Sequence, residues 1–399
     1  MLVTTLTLPA ALLLPKIRRS FYDLVNAIII LTVSSVLLVF VFLLLFNNWV
    51  VAYLRIPDIG QWFLLLPLVL LLNNLSSIWG FWYMRKKAFK KRAGIDISTT
   101  LAGRGVTIAV GLAWHGNGLG LLLGDLANRV TYFTGMVASG IYRELRVLPR
   151  VFSWRNSWRA ALEYKDFPLY VLPANYVSIL SAQVPIFLLT GKFGPTVVGL
   201  YSFSVGLLEM PLNLVGSAIA PVFMQKATEV QHNAPERLKE ITLSLYNKLL
   251  YLGLLPFGFL TVFGDVLFKV VFGAKWEMAG LFTAYLGYYY IFKLTSTVTA
   301  PIYTVIGKQR FQLMSNMLLL AFRVGGLFIG IALNDVNMAL LLFGTGSLLV
   351  TFLTDLHILH LLHAPVLRIA LRTVLLVSLA AGSMWALRWL VQPLLNQWF

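Results

Sequence analysis

The chain has 399 residues, of which 59% are hydrophobic and only 12% charged, with a formal net charge of +17 and no cysteine. Soluble domains carry about 25% charged residues, so a water-surrounded fold is excluded and lipid is the expected solvent. The missing thiols exclude disulfides, cysteine-ligated zinc, iron–sulfur clusters and thiol catalysis, and in so apolar a chain the positive charge points to loops held against anionic lipid rather than to nucleic acid.

Apolar segments run at roughly 2–15, 25–46, 60–82, 96–113, 117–138, 168–190, 196–222, 245–268, 278–303, 313–332, 336–357 and 368–390. A helix rises about 1.5 Å per residue, so about 20 residues cross a hydrocarbon core of about 30 Å. The pattern predicts eleven spans and one stub. The stub, Leu2 to Pro15, is too short to cross and no charged leader precedes it. It reads as the inner end of a helix whose outer half is missing, from a shortened reading frame or a late start.

Basic clusters at Lys16 to Arg19, Arg85 to Arg92, Arg143 to Lys165, Lys226 to Lys248, Lys308 to Arg310 and Arg368 to Arg372 fall in alternate connections. The intervening connections hold only Arg55, Lys192, Lys269, Lys275 and Arg388. Basic residues near span ends stay on the cytoplasmic side, which predicts that the stub exits into the cytoplasm and that Phe399 lies outside. The connection from Ile141 to Asp166 carries Trp154 and Trp158 among its arginines and is expected to lie on the membrane as an interfacial helix. It divides the chain into an incomplete amino-terminal lobe over 1–140, a linker helix over 141–166, a carboxy-terminal six-helix lobe over 167–357 and a further helix over 358–399. Phe63 to Arg92 and Phe282 to Arg310 share an order of apolar span and basic turn, a weak sign of duplicated lobes.

Charges expected inside spans are Arg104, Asp125, Arg129, Glu209, Lys293 and Arg323, with Asp355 near a cytoplasmic end. Ionisable groups are costly in lipid and face a cavity or a partner. Asp125 and Arg129 stand four apart on one helix face, either as a structural ion pair or as part of a cavity wall. Arg104, Lys293 and Arg323 have no opposite charge three or four residues away, which leaves a cavity-lining role, snorkelling or helix packing. The excess of basic over acidic groups suits an anionic ligand such as a pyrophosphate, with Arg104, Arg129, Lys293 and Arg323 as its contacts, whereas a cation exporter should show the reverse.

Asp125 and Glu209 are the candidates for a coupling proton or sodium ion. Glu209 sits two residues before Pro211, where a bend frees a backbone carbonyl; its alternative is to pair with Lys or Arg of another helix. Pro168, Pro173, Pro185, Pro211 and Pro221 crowd two consecutive spans and mark them as hinge elements. His357, His360 and His363 spread over a third of a helix circumference, a poor metal set, and no metal site is assigned. His115, in a short turn with Trp114, Gly116 and Asn117, reads as an interface anchor. No phosphate-cradling Gly-Lys-Ser/Thr loop occurs and external loops are too short to house an active site, so neither an enzyme nor a cofactor is expected.

The run Tyr164-Lys165-Asp166-Phe167-Pro168-Leu169-Tyr170 with Leu172-Pro173, then Phe193-Gly194-Pro195, Val198-Gly199-Leu200-Tyr201-Ser202 and Pro211, resembles bacterial polysaccharide and O-antigen flippases of the multidrug/oligosaccharidyl-lipid/polysaccharide exporter superfamily. The likeness continues through Val271-Phe272-Gly273-Ala274-Lys275-Trp276 and Gly307-Lys308-Gln309-Arg310. It is thinner at Leu13-Leu14-Pro15-Lys16 and at Gly120 to Asp125 with Arg129.

The resemblance implies an all-α polytopic fold of two helical lobes around a central cavity, in a bacterial cytoplasmic membrane. It further implies an undecaprenyl-diphosphate-linked oligosaccharide as substrate, membrane lipids, a coupling ion and polysaccharide polymerase and chain-length proteins as partners, and no nucleic acid. Gly206 stands where such flippases often carry arginine, so one contact to diphosphate is expected to be missing or supplied elsewhere. A cation-coupled drug exporter of the same superfamily and a membrane-embedded polymerase or ligase are the alternatives.

Overall fold

The computed structural model describes residues 2–54, 64–113, 119–141 and 146–398. The sequence expectations for Arg55, Arg143 and the turn of Trp114, His115, Gly116 and Asn117 lie outside these residues. Among the described residues every regular element is helical. That follows from runs of Leu, Val, Ile and Phe too long for strands, in a solvent where only helices or closed barrels satisfy the backbone.

The chain divides by its contacts into Met1–Leu172 and Pro173–Phe399. In the first unit, two short helical turns, Leu2–Thr5 and Leu8–Leu13, precede α1 (Arg18–Leu54), α2 (Leu66–Arg85), α3 (Phe89–Ala113) and α4 (Leu119–Met136). A short amphipathic helix, α5 (Trp154–Glu163), follows within the basic connection. Ser153 caps it by accepting from the Asn156 backbone N–H, and Ser157 and Ala160 are buried against α1 while Trp154 and Trp158 stand exposed one turn apart. Because this segment packs on α1, the contact division falls at Leu172, six residues beyond Asp166. The unit's core joins Leu8, Leu12, Phe21, Val25, Trp79, Trp82, Met136 and Phe167, with Phe21 edge-on to Trp82 at 4.9 Å.

The second unit holds α6 (Leu172–Phe193), α7 (Pro195–Asn233), α8 (Leu238–Phe272), α9 (Glu277–Thr299), α10 (Gln309–Ala332), α11 (Val336–Leu361) and α12 (Val366–Trp398). Gly194 and Gly273, both glycines of the resemblance, sit at φ 85° and 96°, where a side chain would be strained, and they end one helix and start the next. Asp335 caps α11, its carboxylate accepting from Asn337 and Met338. Among the described residues, eleven long helices outside α5 overlap the eleven apolar segments read from the sequence. Six helical stretches among the described residues are both long and apolar enough to cross a membrane by length and composition. The largest of these, Phe167–Asn233, contains two spans. Helices α2, α3, α4 and α9 reach spanning length with more polar faces.

Small residues set the spacing of the helices. A Cβ at Gly280 of α9 would land on the Gly264 carbonyl of α8, one at Gly344 of α11 on the Tyr285 carbonyl of α9, and one at Gly124 of α4 on the Thr107 side chain of α3. In lipid, such close backbone approach and the dispersion it brings replace the hydrophobic drive of water.

Candidate functional site

In the second unit, helices α7, α9 and α10 bring the charged side chains Glu209, Lys293 and Arg323 into one network, to which α6 and α11 add serine hydroxyls. Arg323 of α10 is 6% exposed and its guanidinium donates only to neutral groups. Nε reaches Ser347 Oγ of α11 at 2.9 Å, Nη1 reaches Ser181 Oγ of α6 at 2.9 Å and its carbonyl at 3.3 Å, and Nη2 reaches the Tyr289 hydroxyl of α9 at 2.5 Å. The guanidinium also lies over the Phe343 and Tyr289 rings at 4.9 and 5.2 Å. Its donors are well used, yet among the described residues no carboxylate pairs with it.

One helix turn from Tyr289, Lys293 forms an ion pair with Glu209 of α7, and the same Glu209 oxygen accepts from the Tyr290 hydroxyl at 3.0 Å. The Lys293 ammonium stands 4.8 Å from the Tyr290 ring centre and 5.9 Å from that of Tyr289. Glu209, Lys293 and Arg323, expected from the sequence, are thus linked through Tyr289 and Tyr290, which sequence reading passed over. The signal available was the aromatic run Tyr288-Tyr289-Tyr290 one turn before an intramembrane lysine. Side chains of Lys293 and Glu209 keep 28% and 27% exposure, so the pair remains accessible in a way that Arg323 does not.

In the first unit the charges are arranged differently. Asp125 and Arg129 form a two-pronged pair along α4, Nε to Oδ2 at 2.7 Å and Nη2 to Oδ1 at 3.2 Å. Arg104 of α3 is exposed. Arg129 borders a cavity of about 280 Å³ between α2, α3 and α4, lined also by Asn73, Ser77, Arg92, Asn128 and Tyr132. Ser76 Oγ at its wall is buried without a partner in the protein. Arg92, read from the sequence as a loop cation, lies instead near the start of α3 with Asp96 at 3.7 Å.

Pro185 lies within α6, and Pro211 and Pro221 lie within α7, each helix continuing past them. Pro168 lies within the widened turn Phe167–Val171, and Pro173 follows it at the start of α6. Gly206, three residues before Glu209, is exposed with open space where a Cβ would stand. His357 Nδ1 shares a hydrogen bond with the Tyr303 hydroxyl at 2.8 Å and its ring packs on Phe311 at 4.7 Å. Outside the spans, burial beside Glu163 pushes the Tyr164 phenol up to about 12 against the opposing pull of Arg85.

The family described as "Polysaccharide biosynthesis protein" matches residues 16–280 of the sequence. The succinoglycan biosynthesis transport protein ExoT of Rhizobium meliloti (strain 1021) is 27% identical over 199 residues, covering 49% of this chain. The match spans only 38% of that relative's length. Among solved structures, the Vibrio cholerae MATE transporter VcmN in its bent form has a TM-score of 0.65 at 14% identity, covering 90% of this chain and 86% of that one. A mutant of the same transporter has a TM-score of 0.67 at 13% identity, covering 90% and 85%. At that identity the likeness concerns the fold alone.

Proposed function

The chain belongs to the polysaccharide biosynthesis protein family, and from that premise we propose that it is a flippase carrying an undecaprenyl-diphosphate-linked oligosaccharide across the cytoplasmic membrane by alternating access, for the synthesis of cell-surface polysaccharide. The observation that carries the reading is Arg323. A guanidinium kept in a helical bundle without a carboxylate leaves a net positive field, which favours an anion and repels a cation. Lys293 supplies a second positive group, and it becomes free for phosphate oxygens when Glu209 lets go. Protonation of Glu209 would release it, which makes this pair the site where a coupling ion acts on cargo binding. Arg104 and Arg129 are the corresponding contacts proposed for the first unit.

The cation-coupled drug exporter, the alternative, draws on the likeness of fold. A bacterium lacking its own flippase accumulates lipid-linked oligosaccharide on the inner leaflet, and expression of this chain should clear it. Single changes of Arg104, Lys293 and Arg323 to Ala should impair that rescue. Full activity in all three variants would remove these residues from the site. Rescue of drug resistance without clearance would favour the exporter.

A further inference from the structure

A second buried charge in the carboxy-terminal unit lies outside the network of Arg323. Asp355 of α11 is 1% exposed, on the face that packs against α9. Two threonines one turn apart on α9 meet the carboxyl group: Thr295 Oγ1 lies 2.5 Å from Oδ2 and Thr299 Oγ1 lies 2.9 Å from Oδ1. Tyr246 of α8 and Tyr303 in the turn after α9 lie close enough to feel its charge. Tyr246 is engaged with Thr373 of α12 at 3.2 Å, and Tyr303 with His357 of α11. Arg372 of α12 is directed to the Tyr251 hydroxyl at 2.6 Å, and Lys293 of α9 to Glu209. No cation among the described residues pairs with Asp355.

The hydrogens in this cluster can be counted. Each threonine hydroxyl has one proton and two acceptors within reach. For Thr295 these are Asp355 Oδ2 and the Phe292 carbonyl at 2.9 Å; for Thr299 they are Asp355 Oδ1 and the Thr295 carbonyl at 3.1 Å. With Asp355 ionised, both hydroxyls turn to the carboxylate. With Asp355 protonated, its own O–H donates to one threonine oxygen, and that threonine turns its proton to the helix carbonyl behind it. Both states are hydrogen-bonded without moving a heavy atom. A fixed structural tie would need only one of them.

A polar cavity lies near the cluster, lined by residues adjacent in the chain to its members. A cavity of about 70 Å³ opens between α9, α10 and α11, lined by Ser296 and Ala300, the residues that follow Thr295 and Thr299, and by Thr351 and Thr354, the latter adjoining Asp355. A water needs about 10–15 Å³ of such space and two or more polar partners. Gln312 on the same wall has a buried side-chain oxygen with no partner in the protein, which a water there would satisfy.

We propose that Asp355, with Thr295 and Thr299, is a proton-binding site of the carboxy-terminal unit, loaded through this cavity and emptied once in each transport cycle. The second half of that statement rests on the reading as a transporter, and the first does not. A carboxyl group whose neutral and ionised forms are both hydrogen-bonded in place can take up or release a proton when a helix movement admits water or a cation. The site is separate from Glu209, so the unit would carry two carboxyls with different duties, one releasing Lys293 and one sensing helix position.

The test is infrared difference spectroscopy on the whole protein in lipid, titrated between about pH 5 and about pH 9. The wild type should lose the C=O stretch of one protonated carboxyl as the pH rises, and Asp355→Asn should lack that change while keeping the amide bands of a folded helical protein. Thr299→Val, which leaves one oxygen without its donor and preserves shape, should displace the midpoint of the change relative to wild type. A wild-type spectrum without this band at any pH, or an unchanged titration in Asp355→Asn, would overturn the assignment. Flipping by Asp355→Asn should respond less to an imposed pH gradient than wild type, Glu209 supplying the remainder, and a response equal to wild type would overturn the role in the cycle. If the band behaves as described but no lipid-linked oligosaccharide moves, the proton site stands and the flippase reading falls.

Discussion

The two units handle intramembrane charge in opposite ways. In Met1–Leu172, among the described residues, two ion pairs run along single helices, Arg92 with Asp96 on α3 and Asp125 with Arg129 on α4, while Arg104 is exposed. In Pro173–Phe399 one pair, Lys226 with Glu229, also runs along a single helix, α7, but the deeper charges cross between helices: Lys293 with Glu209 from α9 to α7, Arg388 with Asp265 from α12 to α8, and Arg323 held by hydroxyls from three other helices. A pair on one helix adds little to the packing of that helix against others, because both partners move together. A cross-helix pair fixes the position of two helices, and its loss exposes an uncompensated group to a low-dielectric interior.

That contrast can be broken by substitution, starting where the most bonds are lost. Arg323→Met removes donors from Ser181, Ser347 and Tyr289 and should cost about 2–4 kcal/mol, read as a lower midpoint of thermal unfolding in a fixed detergent micelle. Lys293→Met strands Glu209 and should cost roughly 2 kcal/mol, most of which the double change Lys293→Met with Glu209→Gln should recover, since the stranded carboxylate is then neutral. A double-mutant cycle on Arg388 and Asp265 should give a coupling of about 1 kcal/mol, within the range of interhelical bonds measured in membranes. Arg129→Gln should shift unfolding by no more than about 0.5 kcal/mol, the worth of an i, i+4 pair. An effect of Arg129→Gln on stability as large as that of Arg323→Met would erase the distinction between the units.

The same contrast explains what was legible in the sequence. The eleven helices could be read from hydropathy because each segment must satisfy its own backbone in lipid, a local requirement. The Asp125–Arg129 pair could be read from spacing alone. The Lys293–Glu209 pair could be anticipated only as one alternative, since its partners are separated by 84 positions in the chain and meet through the packing of α7 on α9. Tyr289, Ser181, Ser347 and the threonines at Asp355 were invisible, because neutral residues on buried helix faces have no pattern to set them apart from ordinary packing. The pairing of Asp265 with Arg388 is hidden for a related reason: charge counting places Arg388 among connecting residues, whereas α12 runs continuously to Trp398 and carries it within reach of α8.

The central claim is that buried positive groups select an anionic, lipid-linked cargo. It is tested most directly by reconstituting the whole chain in liposomes with a fluorescent polyprenyl-diphosphate glycan in one arm and a fluorescent cationic amphiphile in the other, and following access of a membrane-impermeant quencher. The account predicts that the diphosphate lipid changes leaflet at a rate well above protein-free liposomes, that Arg323→Met and Lys293→Met both reduce that rate, and that the cation stays where it was inserted. Movement of the cation with none of the diphosphate would contradict it.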